Sequence, residues 1–211
     1  MSLIAFDFDG TLAGSEMTVL LGEQHGVADE LASITERAMN GELDYAESLR
    51  KRAELLEGLP VEKAQAAYVQ VTLRPGTASV LNDLQEAGVP TAILTGGFTP
   101  GVEAALERSG TGVDRIVAND LPVTDGTLTG EVVGPLIEGT KDEALSDLAD
   151  ELGIPLDACV AVGDGANDLP MLDVAGLAIG FDPKDSVRPA CDVVVEDMAE
   201  LENVLESEGI L

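Results

Sequence analysis

Positive charge is what this chain has least of. Its 211 residues include 11 lysines and arginines against 40 aspartates and glutamates, a net charge of −29. Nucleic acids and anionic membranes are held by Lys and Arg that neutralise phosphates, so neither is expected as a partner. Cysteine is nearly absent too: Cys159 and Cys191 lack any CxxC or metal-type spacing and read as buried thiols. The one histidine, His25, sits beside Gly26 and reads as an exposed residue with no acid-base duty. No stretch approaches the length of a membrane span, and no charged-then-apolar start marks a signal peptide. A cytoplasmic location is expected, as a monomer or homodimer.

An acidic surface can serve a basic protein partner or a salty solvent. The acids here are scattered through ordinary helix and turn patterns and form no block, which favours the solvent. Salt screens charges within a few Å and removes the self-repulsion that loosens such a fold in dilute buffer. A halophilic protein that unfolds at low salt is the expectation.

Apolar residues make up 45% of the chain, enough for one sizeable core or a core with a small companion. The most informative stretch is Leu3-Ile4-Ala5-Phe6-Asp7-Phe8-Asp9-Gly10-Thr11-Leu12. An apolar strand delivers two carboxylates two positions apart and then breaks at glycine. Desolvating two adjacent like charges is costly unless a cation lies between them. A divalent metal is one remedy; a plain strand followed by an Asp-Gly turn is the bland alternative.

Helical spacing then covers Met17 to His25, Asp29 to Met39, Asp44 to Leu56 and Pro60 to Gln70, with breaks at Gly26, Asn40-Gly41 and Gly58-Leu59-Pro60. From Arg74-Pro75-Gly76 strands and helices alternate: helix Thr77 to Ala87, strand Val89 to Thr95 ended by Gly96-Gly97, helix Pro100 to Ser109, and strand Arg115 to Ala118. Asp125-Gly126 marks a β-hairpin that Glu131-Val132-Val133 extends. A helix opening at Lys141, a buried strand at Ala158 to Gly163, strands at Leu177 to Gly180 and Asp192 to Val195, and a terminal helix complete the pattern. The fold class is α/β: a Rossmann-like parallel sheet covered on both faces, with an inserted helical cap and a small β-hairpin excursion. Residues 1–13 and 73–211 make the core and 14–72 the cap. Ligands of such sheets bind at the carboxyl ends of strands, where Asp7/Asp9, Thr95 with Gly96, and Asp164 fall.

Together with Lys141 these have the parts for phosphoryl transfer. A carboxylate can attack phosphorus, a divalent ion between carboxylates relieves repulsion from the phosphate, and a hydroxyl, backbone N–H groups and an ammonium hold its oxygens. D-F-D-G-T at 7–11, T-G-G at 95–97, Lys141 and G-D-G-A-N-D at 163–168 resemble the four motifs of the haloacid dehalogenase superfamily, in its phosphatase branch. Glu16, the run from Met39 to Tyr45 and that from Ser48 to Arg52 are further similar to the phosphoserine phosphatases, with Thr95 where serine is usual and Tyr45 where phenylalanine is common.

The resemblance implies roles. Asp7 is the nucleophile, and Asp9 the acid that protonates the leaving seryl oxygen and then the base that activates water. Asp7, the Asp9 carbonyl and Asp164 hold Mg²⁺, with Asp168 in support. Thr95, Gly96 and Lys141 bind phosphoryl, Asn167 reaches substrate, and Glu16 and Arg52 read the ammonium and carboxylate of phosphoserine. Met39 and Tyr45 are either an apolar wall over the substrate or packing inside the cap. The implied reaction yields L-serine and phosphate, the last step of serine synthesis. Rival readings are a phosphatase or phosphotransferase for another small phosphorylated metabolite, and a non-catalytic phospho-amino-acid-binding module.

Overall fold

The computed structural model describes residues 2–39 and 42–211, without the Met39 side chain, so the Asn40-Gly41 break and the proposed Met39 wall lie outside the described residues. Strand β1 (Leu3–Phe6) is followed by four helices, α1 (Met17–His25), α2 (Ala28–Met39), α3 (Tyr45–Glu54) and α4 (Val61–Tyr68). Then come α5 (Thr77–Glu86), β2 (Thr91–Phe98), α6 (Thr99–Ser109), β3 (Arg115–Asn119) and the hairpin β4 (Val123–Thr124) and β5 (Thr127–Leu128). The chain finishes with α7 (Lys141–Leu152), β6 (Cys159–Gly163), α8 (Leu169–Val174), β7 (Leu177–Phe181), β8 (Val193–Val195) and α9 (Met198–Ser207).

Six strands form one parallel sheet in the order β3-β2-β1-β6-β7-β8. β1 lies in the middle, and the chain builds outward from it first on one side and then on the other. The crevice beside the carboxyl end of β1 is where such sheets bind ligands. Register fixes what meets there: Phe6 pairs with Val162, and the Asp7 N–H donates to the Val162 carbonyl at 2.8 Å. The residues that follow, Asp7 and Asp164, therefore leave adjacent strands side by side.

Alternation along β1 splits the core. Ile4 and Phe6 join a cluster under α5, α6 and α9, and Leu3 and Ala5 join one under α7 and α8. The first cluster continues without a gap into the helical block through Leu21, Leu31, Leu56 and Leu59. Each fully buried Leu or Phe contributes about 1.5–3 kcal/mol, so α1–α4 are anchored by the same apolar surface that supports the sheet. The chain enters and leaves this block at neighbouring points, since Ala13 bridges Leu73 and the Arg74 N–H donates to the Leu12 carbonyl at 2.8 Å. Among the described residues no helix is long and apolar enough to cross a membrane.

Three local expectations need correction. β2 does not end at Gly96-Gly97 but runs through them to Phe98. Its register with β3 shifts between Leu94 and Phe98, and buried Asn119 ties the Gly96 carbonyl through Nδ2 at 3.2 Å. Glu131-Val132-Val133 does not lengthen the hairpin: Val133 bridges back to Asp120. The hairpin itself forms, with Asp125 and Gly126 both at positive φ (51° and 81°), and it docks on the α3–α4 loop through Gly58, Leu59 and Val61. His25 is half-buried rather than exposed, and its Nε2 lies 3.1 Å from the Glu57 carbonyl.

Candidate active site

The floor of the site is a carboxylate cluster. Side-chain oxygens of Asp7, Asp164 and Asp168 lie within 4.8 Å of one another, and all three residues are buried. Lys141, the first residue of α7, is buried with them and donates from Nζ to Asp7 Oδ1 and Asp168 Oδ1, 2.5 Å in each case. Its helix start is set by sequence: the Glu143 side chain accepts from the Thr140 N–H at 3.3 Å, half of a capping box. The other oxygen of Asp168 accepts from the backbone N–H groups of Asp164 (2.9 Å) and Gly165 (2.8 Å). Asp168 is thus an organiser with both oxygens committed.

Burial raises the carboxyl of Asp7 well above its ordinary value, and repulsion from Asp168 adds to this while Lys141 opposes it. Asp164 is raised by burial and by Asp168. Burial would lower the Lys141 ammonium, but Asp168 and Asp7 outweigh it and hold the group protonated. Three acids against one buried cation leave negative charge in excess, and the hard oxygen donors suit a small divalent ion. Gly10 makes room for it. With φ +95° it carries no side chain, and a Cβ there would sit 2.7 Å from Asp164 Oδ1. The triad can hold a divalent cation through Asp7 Oδ2 and Asp164 Oδ1, while Lys141 and Lys184 hold the other oxygen of each.

Above the floor a cavity of about 90 Å³ collects Asp7, Asp9, Glu16, Arg52, Thr95 and Asn167. Typical sites for drug-sized ligands run to roughly 300–1,000 Å³, so this one fits a small metabolite. Asp9 accepts the Met17 N–H at 3.3 Å, and burial, with Glu16 nearby, pushes its carboxyl up to about 8. It is therefore protonated at neutral pH. Glu16 stands at the N-cap of α1, where its side chain makes no capping hydrogen bond. Burial and then Asp164 raise its carboxyl, and Arg52 opposes them. Arg52 is buried rather than engaged in a surface salt bridge. Its Nε donates to the Ser48 carbonyl at 3.4 Å and a terminal nitrogen to Thr35 Oγ1 at 3.5 Å, so its charge is free to face the cavity. Thr95 Oγ1 accepts the Gly97 N–H at 3.0 Å, and Asn167 Nδ2 donates to Asp168 Oδ1 at 3.4 Å.

Apart from Met39, whose side chain lies outside the described residues, the residues selected from sequence lie in this cavity or in its floor. Sequence reasoning missed Lys184, which donates to Asp164 Oδ2 at 3.1 Å, as well as Thr35 and Asn119. Lys184 could have been suspected as one of four lysines in so acidic a chain. Thr35 and Asn119 carried no local signal.

Comparison with known proteins agrees with this geometry. Residues 4–173 match the family model described as haloacid dehalogenase-like hydrolase. The chain belongs to this family. Within it, the phosphoserine phosphatase of Halobacterium salinarum is 54% identical over 210 residues, covering 100% of both chains. The phosphoserine phosphatase of Methanocaldococcus jannaschii is 40% identical over 195 residues, covering 92% of each. A solved structure described as a substrate-bound phosphoserine phosphatase complex superposes with TM-score 0.90 at 38% identity, covering 98% of this chain and 97% of that one. A phospho-aspartyl intermediate analogue of phosphoserine phosphatase gives TM-score 0.90 at 39% identity, covering 96% and 98%. The haloacid dehalogenase-like fold inferred from the motifs is thus the fold of the chain.

Proposed function

We propose that this haloacid dehalogenase-like hydrolase is a Mg²⁺-dependent phosphoserine phosphatase of the cytoplasm, releasing L-serine and phosphate at the end of serine synthesis. The observation that carries the reading is the polarity of one small cavity. A lysine-clamped Asp7 lies at its floor, and buried Arg52 and half-buried Glu16, with no ion pair between them, lie in its wall. Phosphoserine has a phosphate to meet the first, and a carboxylate and an ammonium to meet the others. An Arg fork suits a carboxylate better than a lysine does.

Asp7 attacks phosphorus and forms an aspartyl phosphate while the seryl C–O oxygen departs with the P–O bond electrons. Asp9, protonated at neutral pH, gives its proton to that oxygen and then, as carboxylate, takes one from the water that hydrolyses the acyl phosphate. Lys141 sets the direction of Asp7 and, with Thr95 and the Gly96 N–H, holds the phosphoryl oxygens. Asn167, beside Asp168, contacts substrate. Asp7, the Asp9 carbonyl and Asp164 would hold Mg²⁺, which would supply neutralisation of the negative charge that the carboxylate meets on the phosphate. Asp168 keeps Asp164 and Lys141 in place. Residues 14–72 act as a cap that closes the cavity and reads the amino-acid end.

The test is a substrate panel with Mg²⁺ in high salt, comparing phosphoserine with phosphothreonine, phosphoglycolate, sugar phosphates and phosphoethanolamine, on the parent and Arg52→Ala. Phosphoserine should lead, and Arg52→Ala should lose about a hundredfold in kcat/KM on it while sparing phosphoethanolamine, which has no carboxylate. Equal losses on both, or a sugar phosphate in the lead, would overturn the assignment.

A further inference from the structure

Tyr45 opens α3, held there by its neighbour Asp44, whose side chain accepts the Glu47 N–H at 3.1 Å. Seven residues further along the same helix stands Arg52. Seven residues are two turns, so the two side chains share a stripe and are separated by about 10 Å along the axis. The stripe faces the cavity, and both residues line it. Arg52 belongs to the end that reads the amino acid. Tyr45 belongs to the phosphate end.

Its hydroxyl is pressed against the backbone of Gly96: a Cβ on that residue would come within 1.6 Å of the Tyr45 Oη. Only glycine permits this approach, and Gly96, inside β2 next to Thr95, is the residue whose N–H the phosphatase reading above gives to the phosphoryl group. Tyr45 also forms the partition to an adjoining cavity of about 210 Å³ lined by Lys141 and Asn167. None of the hydrogen bonds that order the site, those of Asp7, Lys141, Asp164, Asp168, Asn167 and Arg52, uses the phenol oxygen. Tyr45 is half-buried, so its hydroxyl meets the cavity with its hydrogen-bonding capacity unspent, whereas phenylalanine would fill an apolar wall and offer none.

We infer that the Tyr45 hydroxyl is a phosphate-binding group, donating a hydrogen bond to a phosphoryl oxygen alongside Lys141 and the Gly96 N–H. The inference rests on the phosphatase reading above and replaces an apolar wall with a directional donor. Burial keeps the phenol protonated, and Lys141 and Arg52 only partly offset this, so the group donates throughout the working range of pH. As part of the cap, the hydroxyl also makes phosphate a ligand that both cap and core must grip, coupling closure to the charged end of the substrate.

The experiment compares the full-length, Mg²⁺-loaded parent with Tyr45→Phe in molar KCl. Inorganic phosphate is titrated by calorimetry, and phosphoserine turnover is measured on the same samples. A lost hydrogen bond to a charged oxygen predicts that Tyr45→Phe weakens phosphate about tenfold and lowers kcat/KM by a similar factor. A phosphate Kd within twofold of the parent overturns the inference, even if turnover falls, because the hydroxyl would then serve the amino-acid end or cap packing. A parent that binds no phosphate overturns it too. A parent that binds phosphate but ignores phosphoserine defeats the functional reading, and the phosphate titration of Tyr45→Phe still decides the role of the hydroxyl.

Discussion

Replacing Asp9 by Asn should make the protein inactive and more stable at once. Burial and Glu16 push the Asp9 carboxyl from an ordinary 3.8 up to about 8, so folding at pH 7 must put back a proton that the unfolded chain has released. At 1.36 kcal/mol per pH unit between 3.8 and 7, that costs about 4 kcal/mol. Part of Asp9 faces the open cavity, where water softens the penalty, so about 2 kcal/mol is the working figure. Asparagine keeps the shape and the Met17 contact and has no proton to recover. For a chain of this size about 2 kcal/mol corresponds to a rise of roughly 4–8 °C in Tm. The sign depends on pH. A carboxyl raised in the folded state is neutral in both states below 3.8 and penalises folding increasingly up to about 8. The advantage of Asp9→Asn in chelator-treated protein should therefore be near zero at pH 4, grow through pH 7 and level off above pH 8. Turnover should fall 10²- to 10⁴-fold through loss of the general acid. A stability difference that is flat between pH 4 and 8 would refute the electrostatic argument, whatever happens to the rate.

Lys141→Met would leave the buried carboxylates of Asp7 and Asp168 without their shared cation. We expect a loss of about 3–5 kcal/mol in urea unfolding, partly recovered by adding Asp7→Asn; an unchanged midpoint would mean that the triad is not held by charge. Gly10→Ala should weaken Mg²⁺ by at least about tenfold in calorimetry, because its Cβ would meet Asp164 and its φ of +95° disfavours any side chain; parental affinity would show that Asp164 is not the ligand. Melting temperature should climb steeply from dilute buffer to molar KCl, and equal values would remove the case for salt adaptation.

What could be read in advance was whatever local chemistry dictates. The apolar β1 run could only be a buried strand, and Asp7 and Asp9 had to emerge at its end. Helical periodicity marked α2–α4 because the apolar residues of each gather on one face, and Asp125-Gly126 announced a turn that needs positive φ. What could not be read depends on contacts distant in sequence. Gly96-Gly97 look like a strand terminator, yet Asn119, 23 residues away, ties the Gly96 carbonyl beyond the register shift. Val133 found Asp120 rather than β5 because only the folded chain decides which edge it meets. Lys184 is a surface lysine in every local respect until β7 brings its loop over Asp164. Arg52 shows the converse: locally it is an ordinary salt-bridge candidate on a charged helix, and only the folded chain shows it buried in the cavity wall near Glu16 and Asp9.

The distribution of charge explains how so acidic a protein can accept an anionic substrate. Of 11 cations, Lys141 and Arg52 are buried at the site, and Lys184 lies at its rim against Asp164. The 40 acids are mostly on the surface, where screening reaches about 10 Å at 0.1 M salt and about 3 Å at 1 M. In dilute buffer the surface field repels a phosphate dianion before the buried cations can attract it. In concentrated salt the surface charges fade within about one water layer, while Lys141 and Arg52, shielded by protein, keep their full effect. High salt thus separates two roles that one composition would otherwise set in conflict. Outer acids face the ion atmosphere, and the enclosed cations lie where added salt screens them least.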